Sequence, residues 1–315
     1  MPGFWENKKV ILTGGAGFLG SYVSDELKSK GCKKIIIPRS TDYDLTQEEH
    51  VKKLFADNPN TDMVMHLAAV VGGIGANKEH PGEFYFKNLI MGALMMEYAR
   101  RNDVPKFVAL GTVCVYPKFT PVPFKEEDIW NGYPEETNAP YGLAKKSMLV
   151  QAQAYRQEYG FNAIYLLPVN LYGPGDNFDP ESSHVIPALI KKVHDAKKSG
   201  LKTVTVWGNG SAFREFLYVK DAARGIVLAA EKYNKPEPIN LGSGAEISIK
   251  ELVKIITELM DYKGKIVWDK TKPNGQPRRC LDVTKAKKEF GFSAETRLIE
   301  GLKETIEWYK LHLIK

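Results

Sequence analysis

The chain has 315 residues, 43% hydrophobic and 26% charged, with a formal net charge of +6, a composition that fits a globular protein with a substantial core and excludes a disordered or collagen-like one. The charge is too small and too dispersed for a nucleic-acid binder, and no apolar run is long enough to cross a bilayer. Its three cysteines lie far apart without a Cys-x-x-Cys pair, which argues against a metal site or a disulfide framework.

The first residues run directly into an apolar strand, Val10 to Leu12, and leave no room for a signal peptide; a reducing cytoplasm is the expected compartment. The strand breaks into a glycine-rich turn, and a helical pattern follows from Ser21 to Lys30. Gly14, Gly17 and Gly20 stand three residues apart. In a strand–turn–helix unit such glycines let the chain turn sharply, admit a phosphate to backbone N–H groups and bring the helix close to the strand. The positive end of that helix then faces a pyrophosphate, so this stretch reads as a dinucleotide site.

Lys33 to Pro38 reads as a second strand ending at Arg39. An arginine there accommodates a 2′-phosphate and points to NADP, although an exposed arginine after a strand looks the same. Asp42 and Asp44 keep NAD open. Thr46 to Ala56 has a helical pattern, and Asp62 to Ala69 reads as a strand, with His66 a core histidine. The glycine-rich Val70 to Asn77 follows as a loop, small enough in side chain to lie against a ligand. Phe84 to Arg101 is apolar on much of its circumference and reads as a core helix or one shared with a subunit.

Lys106 to Gly111 forms the next strand, and Thr112 to Tyr116 continues from its end. Ligands of open α/β sheets sit beyond the carboxyl ends of strands, where Thr112 and Cys114 fall. Extended chain there points both side chains the same way. Pro117 to Pro140 reads as a long surface loop, and Tyr141 opens a helix to about Tyr159. Of the fifteen tyrosines, Tyr141 alone is followed four residues on by lysine, Lys145, on the same helical face. A charged Lys145 lowers the phenol's pKa, and the phenol serves as a general acid toward a carbonyl oxygen. Strands at Asn162 to Pro168, Val204 to Trp207, Arg214 to Val219 and Ile239 to Leu241 alternate with helices at His184 to Lys198, Asp221 to Glu231 and Ile249 to Met260. A strand near Ile266 and a last helix, Leu298 to Leu313, close the chain. Alternation of this kind predicts an α/β fold with a parallel sheet.

Taken together, Ala68 to Asn77, Val113 to Lys118, Asn170 to Phe178, Ser183 to Leu189, Trp207 to Gly210 and Arg214 to Val219 resemble the extended short-chain dehydrogenase/reductase superfamily and, within it, the GDP-L-fucose synthase family. The resemblance implies a Rossmann-type doubly wound parallel sheet with a smaller, discontinuous α/β C-terminal substrate domain. The division falls at 1–172 with 213–241, and 173–212 with 242–315. It implies NADP held by Gly14, Gly17, Phe18, Leu19, Gly20, Arg39, Ala68, Ala69, Lys145 and His184. It implies a GDP-sugar held by Asn170, Lys192, Trp207, Arg214 and Arg279, the two arginines at the pyrophosphate. Tyr141, Lys145 and Thr112 take the reductase roles and Cys114 and His184 the epimerisation roles, in a homodimer formed through the helices 84–101 and 141–159. The family has serine where this chain has Thr112, which adds a methyl group beside the sugar. Two other readings stand beside this one: an epimerase or 4-reductase alone, acting on another GDP-hexose or GDP-heptose, and a non-catalytic dinucleotide sensor.

Overall fold

The structure is a computed structural model that describes residues 3–180, 182–272 and 276–313. Its strands, in chain order, are β1 (Lys9–Thr13), β2 (Lys34–Ile36), β3 (Met63–His66), β4 (Lys106–Leu110), β5 (Ala163–Pro168) and β6 (Asn170–Tyr172). They continue with β7 (Thr203–Trp207), β8 (Phe213–Tyr218), β9 (Ile239–Leu241), β10 (Glu246–Ser248) and β11 (Lys265–Asp269). The helices are α1 (Phe18–Ser29), α2 (Glu48–Asp57), α3 (Ile74–Glu79), α4 (Pro81–Arg101) and α5 (Ala139–Tyr159). After them come α6 (Val185–Lys198), α7 (Val219–Lys232), α8 (Ile249–Leu259), α9 (Thr284–Phe290) and α10 (Leu298–His312).

Six strands pair in parallel in the order β2-β1-β3-β4-β5-β9. Residues 10–13, 63–66 and 106–110 are buried throughout, as expected of strands covered on both faces. Packing of α1 on α7, and of α4 on α5 and α2, supplies the covering layers. At the α4–α5 crossing Gly92 lies against Met148, so close that a methyl group there would meet its sulfur at 2.5 Å. The fold is the expected doubly wound α/β sheet.

A second apolar core lies among β7, β8, α6, α8 and α10, built from residues such as Leu189, Ile190, Val206, Leu252, Ile256 and Ile306. Two small sheets border it, β10-β8-β6 and β11-β7. Leu281, Phe290 and Phe292, which the sequence division assigns to the smaller unit, pack into the larger core.

Three local expectations give way. The Thr112–Tyr116 segment does not stay extended: Val113–Val115 is a 3₁₀ turn, with the Thr112 hydroxyl accepting from the Cys114 N–H at 3.3 Å. The glycine-rich loop after β3 contains α3, where the Asn77 amide ties back to the carbonyls of Gly72 and Gly73 at 2.9 and 3.1 Å. Helix α1 starts at Phe18, with Gly17 as its N-cap, not at Ser21.

Candidate active site

The chain passes from β1 to β2 on one side and from β3 to β4 on the other, so the direction of travel reverses between β1 and β3 and opens a crevice at their carboxyl ends. A cleft of about 1030 Å³ begins at this point and runs to the second core. Every site residue read from the sequence lines it: Gly14, Gly17, Phe18, Leu19, Gly20, Arg39, Ala68, Ala69, Thr112, Cys114, Tyr141, Lys145, Asn170, His184, Lys192, Trp207, Arg214 and Arg279.

At the β1 end the backbone fits a dinucleotide. Gly14 has a φ of +71°, which favours glycine, and a Cβ there would stand 2.8 Å from Ala68 N. A Cβ on Gly20 would overlap the Gly14 carbonyl, so that position must stay bare for α1 to start where it does. No acidic residue stands in the first turn of α1, which leaves its N–H groups and positive end open to an anion. Arg39 lies exposed past β2. Asp44 is committed locally: its carboxylate accepts from Thr46 N and Oγ1 at 3.0 and 2.8 Å, and these bonds hold its pKa below the usual range.

The middle of the cleft gathers Thr112, Cys114, Tyr141, Lys145 and His184. Thr112 hydrogen-bonds the Tyr141 phenol, but burial dominates and, with the Cys114 charge, raises the phenol's pKa. Lys145 is buried, and loss of water pushes its pKa down to about 7. Near pH 7 Lys145 is therefore divided between its charged and neutral forms, while burial keeps the phenol protonated. His184 caps α6 and lies open to the cleft, with enough protein around its ring to lower its pKa by desolvation. Arg279 reaches in from the tail, its Nη1 3.8 Å from Cys114 Sγ.

At the far end Trp207 is 54% exposed, with the Nζ atoms of Lys192 and Lys272 each 5.5 Å from its ring centroid. Burial, and then the Arg279 charge, lower the pKa of Arg214 to about 10. The Glu135 carboxylate acts on Arg214 in the opposite sense. Asn170 donates its amide to the Glu215 carbonyl at 3.1 Å.

Sequence reasoning missed three cleft residues. Glu135 accepts from Thr137 and Asn138 at 2.5 and 2.7 Å and opposes the Arg214 charge. Asp176 is buried, and desolvation pushes its pKa up to about 7. Gln276 grips Arg279. Asp176 stands in the Asn170–Phe178 stretch already singled out; Glu135 and Gln276 lie in aperiodic segments that carry no local signal.

Residues 10–242 match the NAD dependent epimerase/dehydratase family. The chain belongs to that family. Among its members the chain is similar to Probable GDP-L-fucose synthase 1 of Oryza sativa subsp. japonica, 41% identical over 97% of this chain and 93% of that one. A solved family structure, a GDP-L-fucose synthetase from Naegleria fowleri bound to NADP, superposes with a TM-score of 0.89 at 28% identity, covering 98% of this chain and 95% of that one. A GDP-6-OMe-4-keto-L-xylo-heptose reductase from C. jejuni superposes with a TM-score of 0.91 at 26% identity, covering 98% of this chain and 99% of that one.

Proposed function

We propose that this chain is an NADP-dependent GDP-sugar epimerase/reductase that converts a GDP-4-keto-6-deoxyhexose to GDP-L-fucose or a close analogue. The observation that carries the reading is the convergence of Tyr141 and Lys145 with Cys114 and His184 on one cleft whose two ends suit two nucleotides. The Gly14–Gly20 turn and the α1 N-terminus hold the cofactor pyrophosphate, Ala68 and Ala69 lie beside it, and Arg39 takes the 2′-phosphate. Trp207, Lys192, Arg214 and Asn170 hold the GDP-sugar.

When bound, NADPH supplies the hydride. A C4 ketone acidifies the C–H bonds at C3 and C5, because the resulting anion is an enolate. The Cys114 thiolate takes the proton from carbon and becomes a thiol; the C–H electron pair moves onto the enolate, and His184 returns a proton to the same carbon. A proton returned to the other face inverts the centre. Tyr141, kept protonated by burial and hydrogen-bonded to Thr112, then donates to the C4 oxygen as the ketone is reduced. Lys145, with a pKa near neutrality, stands one helical turn away to replace that proton.

We assign 1–172 with 213–241 mainly to NADP and 173–212 with 242–315 mainly to the sugar nucleotide, with Asn170 and Arg214 reaching the sugar nucleotide from the first portion. We assign a homodimer through α4 and α5, whose exposed Tyr85, Phe86, Val150 and Tyr159 offer apolar surface. Sedimentation showing a monomer at micromolar concentration would remove that assignment. No helix among the described residues is long and apolar enough to cross a membrane, and the three cysteines are free, which supports a cytoplasmic enzyme. A second reading, reduction alone on a GDP-heptose, draws on the likeness to the heptose reductase and on the added methyl of Thr112.

The test uses GDP-4-keto-6-deoxymannose and NADPH in deuterated water. The parent enzyme is expected to incorporate deuterium at C3 and C5 and to oxidise NADPH. Cys114→Ser should lose the exchange and keep some reduction, and Tyr141→Phe should do the reverse. Reduction without any exchange in the parent favours the second reading. Exchange as fast in Cys114→Ser as in the parent removes the thiol from the mechanism.

A further inference from the structure

Arg279 is more firmly placed than a flexible phosphate contact needs to be. Its carbonyl accepts from Glu215 N at 3.1 Å, and the next carbonyl, of Cys280, accepts from Phe124 N at 2.8 Å. Leu281 N donates to the buried Glu215 carboxylate at 2.6 Å. The side chain is seated as well. Gln276, buried, donates to the Lys118 carbonyl at 2.7 Å and accepts from Arg279 Nε and Nη2 at 3.2 and 3.0 Å. These bonds occupy one edge of the guanidinium and leave Nη1 aimed at Cys114 Sγ, 3.8 Å away.

The groups facing that sulfur come from three elements. Tyr141 approaches from α5 and Arg279 from the tail, while on the thiol's own turn the Thr112 hydroxyl holds the Cys114 N–H; the Arg214 charge acts on Arg279, and Glu135 opposes the Arg214 charge. Among the described residues, the guanidinium is the group that brings positive charge within hydrogen-bonding range of the sulfur. Such a bond is strengthened when the sulfur is ionised, and the ionised form is the one that abstracts a proton.

We infer that Arg279, seated by Gln276, is the positioning residue that holds Cys114 as a thiolate for epimerisation, and that its main task is at the sulfur and not at the pyrophosphate. The inference rests on the epimerase half of the function proposed above.

The experiment needs no substrate. The full chain without cofactor is treated with iodoacetamide at pH 7, modification is followed on the Cys114 peptide, and the buried Cys32 and Cys280 serve as internal references. GDP affinity is measured on the same preparations. Arg279→Gln is expected to slow alkylation of Cys114 by about tenfold, the usual scale for removing a cation beside a thiolate. Arg279→Lys should recover most of the rate. Gln276→Ala, which keeps the charge and removes its seat, should fall between. The GDP dissociation constant should change by less than about twofold, under half a kcal/mol. An unchanged alkylation rate in Arg279→Gln overturns the inference, as does a slowing that Arg279→Lys fails to recover. Weakened GDP binding with unchanged alkylation returns Arg279 to the pyrophosphate. If Arg279→Gln does not fold, Gln276→Ala alkylating as fast as the parent overturns it equally. Failure of the epimerase reading shows differently: fast, Arg279-dependent alkylation of Cys114 in an enzyme that exchanges no deuterium at C3 or C5.

Discussion

Thr13 and His66, the last residues of β1 and β3, stand in register and join through a 2.9 Å hydrogen bond between Oγ1 and Nδ1. The same oxygen accepts from Ala68 N at 3.2 Å. The hydroxyl thus ties the His66 ring to the Ala68 backbone. Burial, helped by the Lys145 charge, pushes the His66 pKa down to about 3, so the relay persists across the working pH range. It fixes the backbone of Ala68 at the edge of the cofactor cleft. Thr13→Val keeps the shape and strands two partners, which should cost about 1–3 kcal/mol in urea unfolding. It should also weaken NADPH binding; unchanged affinity would separate the relay from the cofactor site.

The parallel sheet was legible because Val10–Leu12, Met63–Met65 and Phe107–Leu110 are buried on both faces and so write continuous apolar runs. The start of α1 was not, because its cap is Gly17, a residue the phosphate turn claims equally well. The alternation Thr112-Val-Cys-Val reads as strand, yet the chain turns there with the Thr112 hydroxyl on the Cys114 N–H, a tertiary outcome. The Tyr141–Lys145 spacing revealed the pair and hid its burial, which decides both charges. Arg279 and Cys114 are 165 residues apart, and no local pattern announces such a meeting.

Arg39 supplies a prediction about cofactor choice. It lines the cleft at the end of β2, while the nearby Asp44 carboxylate is held by Thr46. Arg39→Ala should weaken NADPH by about 1.5–3 kcal/mol and leave NADH nearly unchanged, because one charge-assisted bond to a phosphate is lost. Titration by cofactor fluorescence measures both. An equal loss for the two cofactors would show that Arg39 does not read the 2′-phosphate.

Lys145 makes stability depend on pH in a direction that can be worked out. Its folded pKa is about 7, below the ordinary 10.5 of the unfolded chain, so between those values the unfolded chain binds more protons. Stability therefore rises with pH across that window, and below about pH 7 both states carry the charge and the gain is absent. Lys106, pushed down to about 8 by burial, adds the same sign from there upward. The cofactor-free enzyme should melt at a higher temperature at pH 9 than at pH 7. Lys145→Met should remove most of the rise between pH 7 and 8, the interval below Lys106. A melting temperature that falls over this interval in the parent would contradict the buried, half-charged lysine.

Trp207 tests the other end of the cleft. Its ring is largely exposed although it ends β7, and an aromatic of that size is left in water where something else covers it. Lys192 and Lys272 stand over the ring, each Nζ 5.5 Å from its centroid. A base stacked on the indole places a nucleotide's phosphates among cations, with Arg214 further along the cleft. Removing a stacking platform costs about 1–3 kcal/mol per base, so Trp207→Ala should weaken GDP binding by roughly that amount. Trp207→Phe, which keeps an aromatic face, should lose less. Lys192→Ala should leave stacking in place and flatten the salt dependence of GDP binding, since it removes one charge facing the phosphates. NADPH affinity should be unaffected in all three variants, because the cofactor lies at the β1 end. Calorimetric titration of GDP and NADPH decides it. A Trp207→Ala enzyme that binds GDP as tightly as the parent would move the base elsewhere in the cleft.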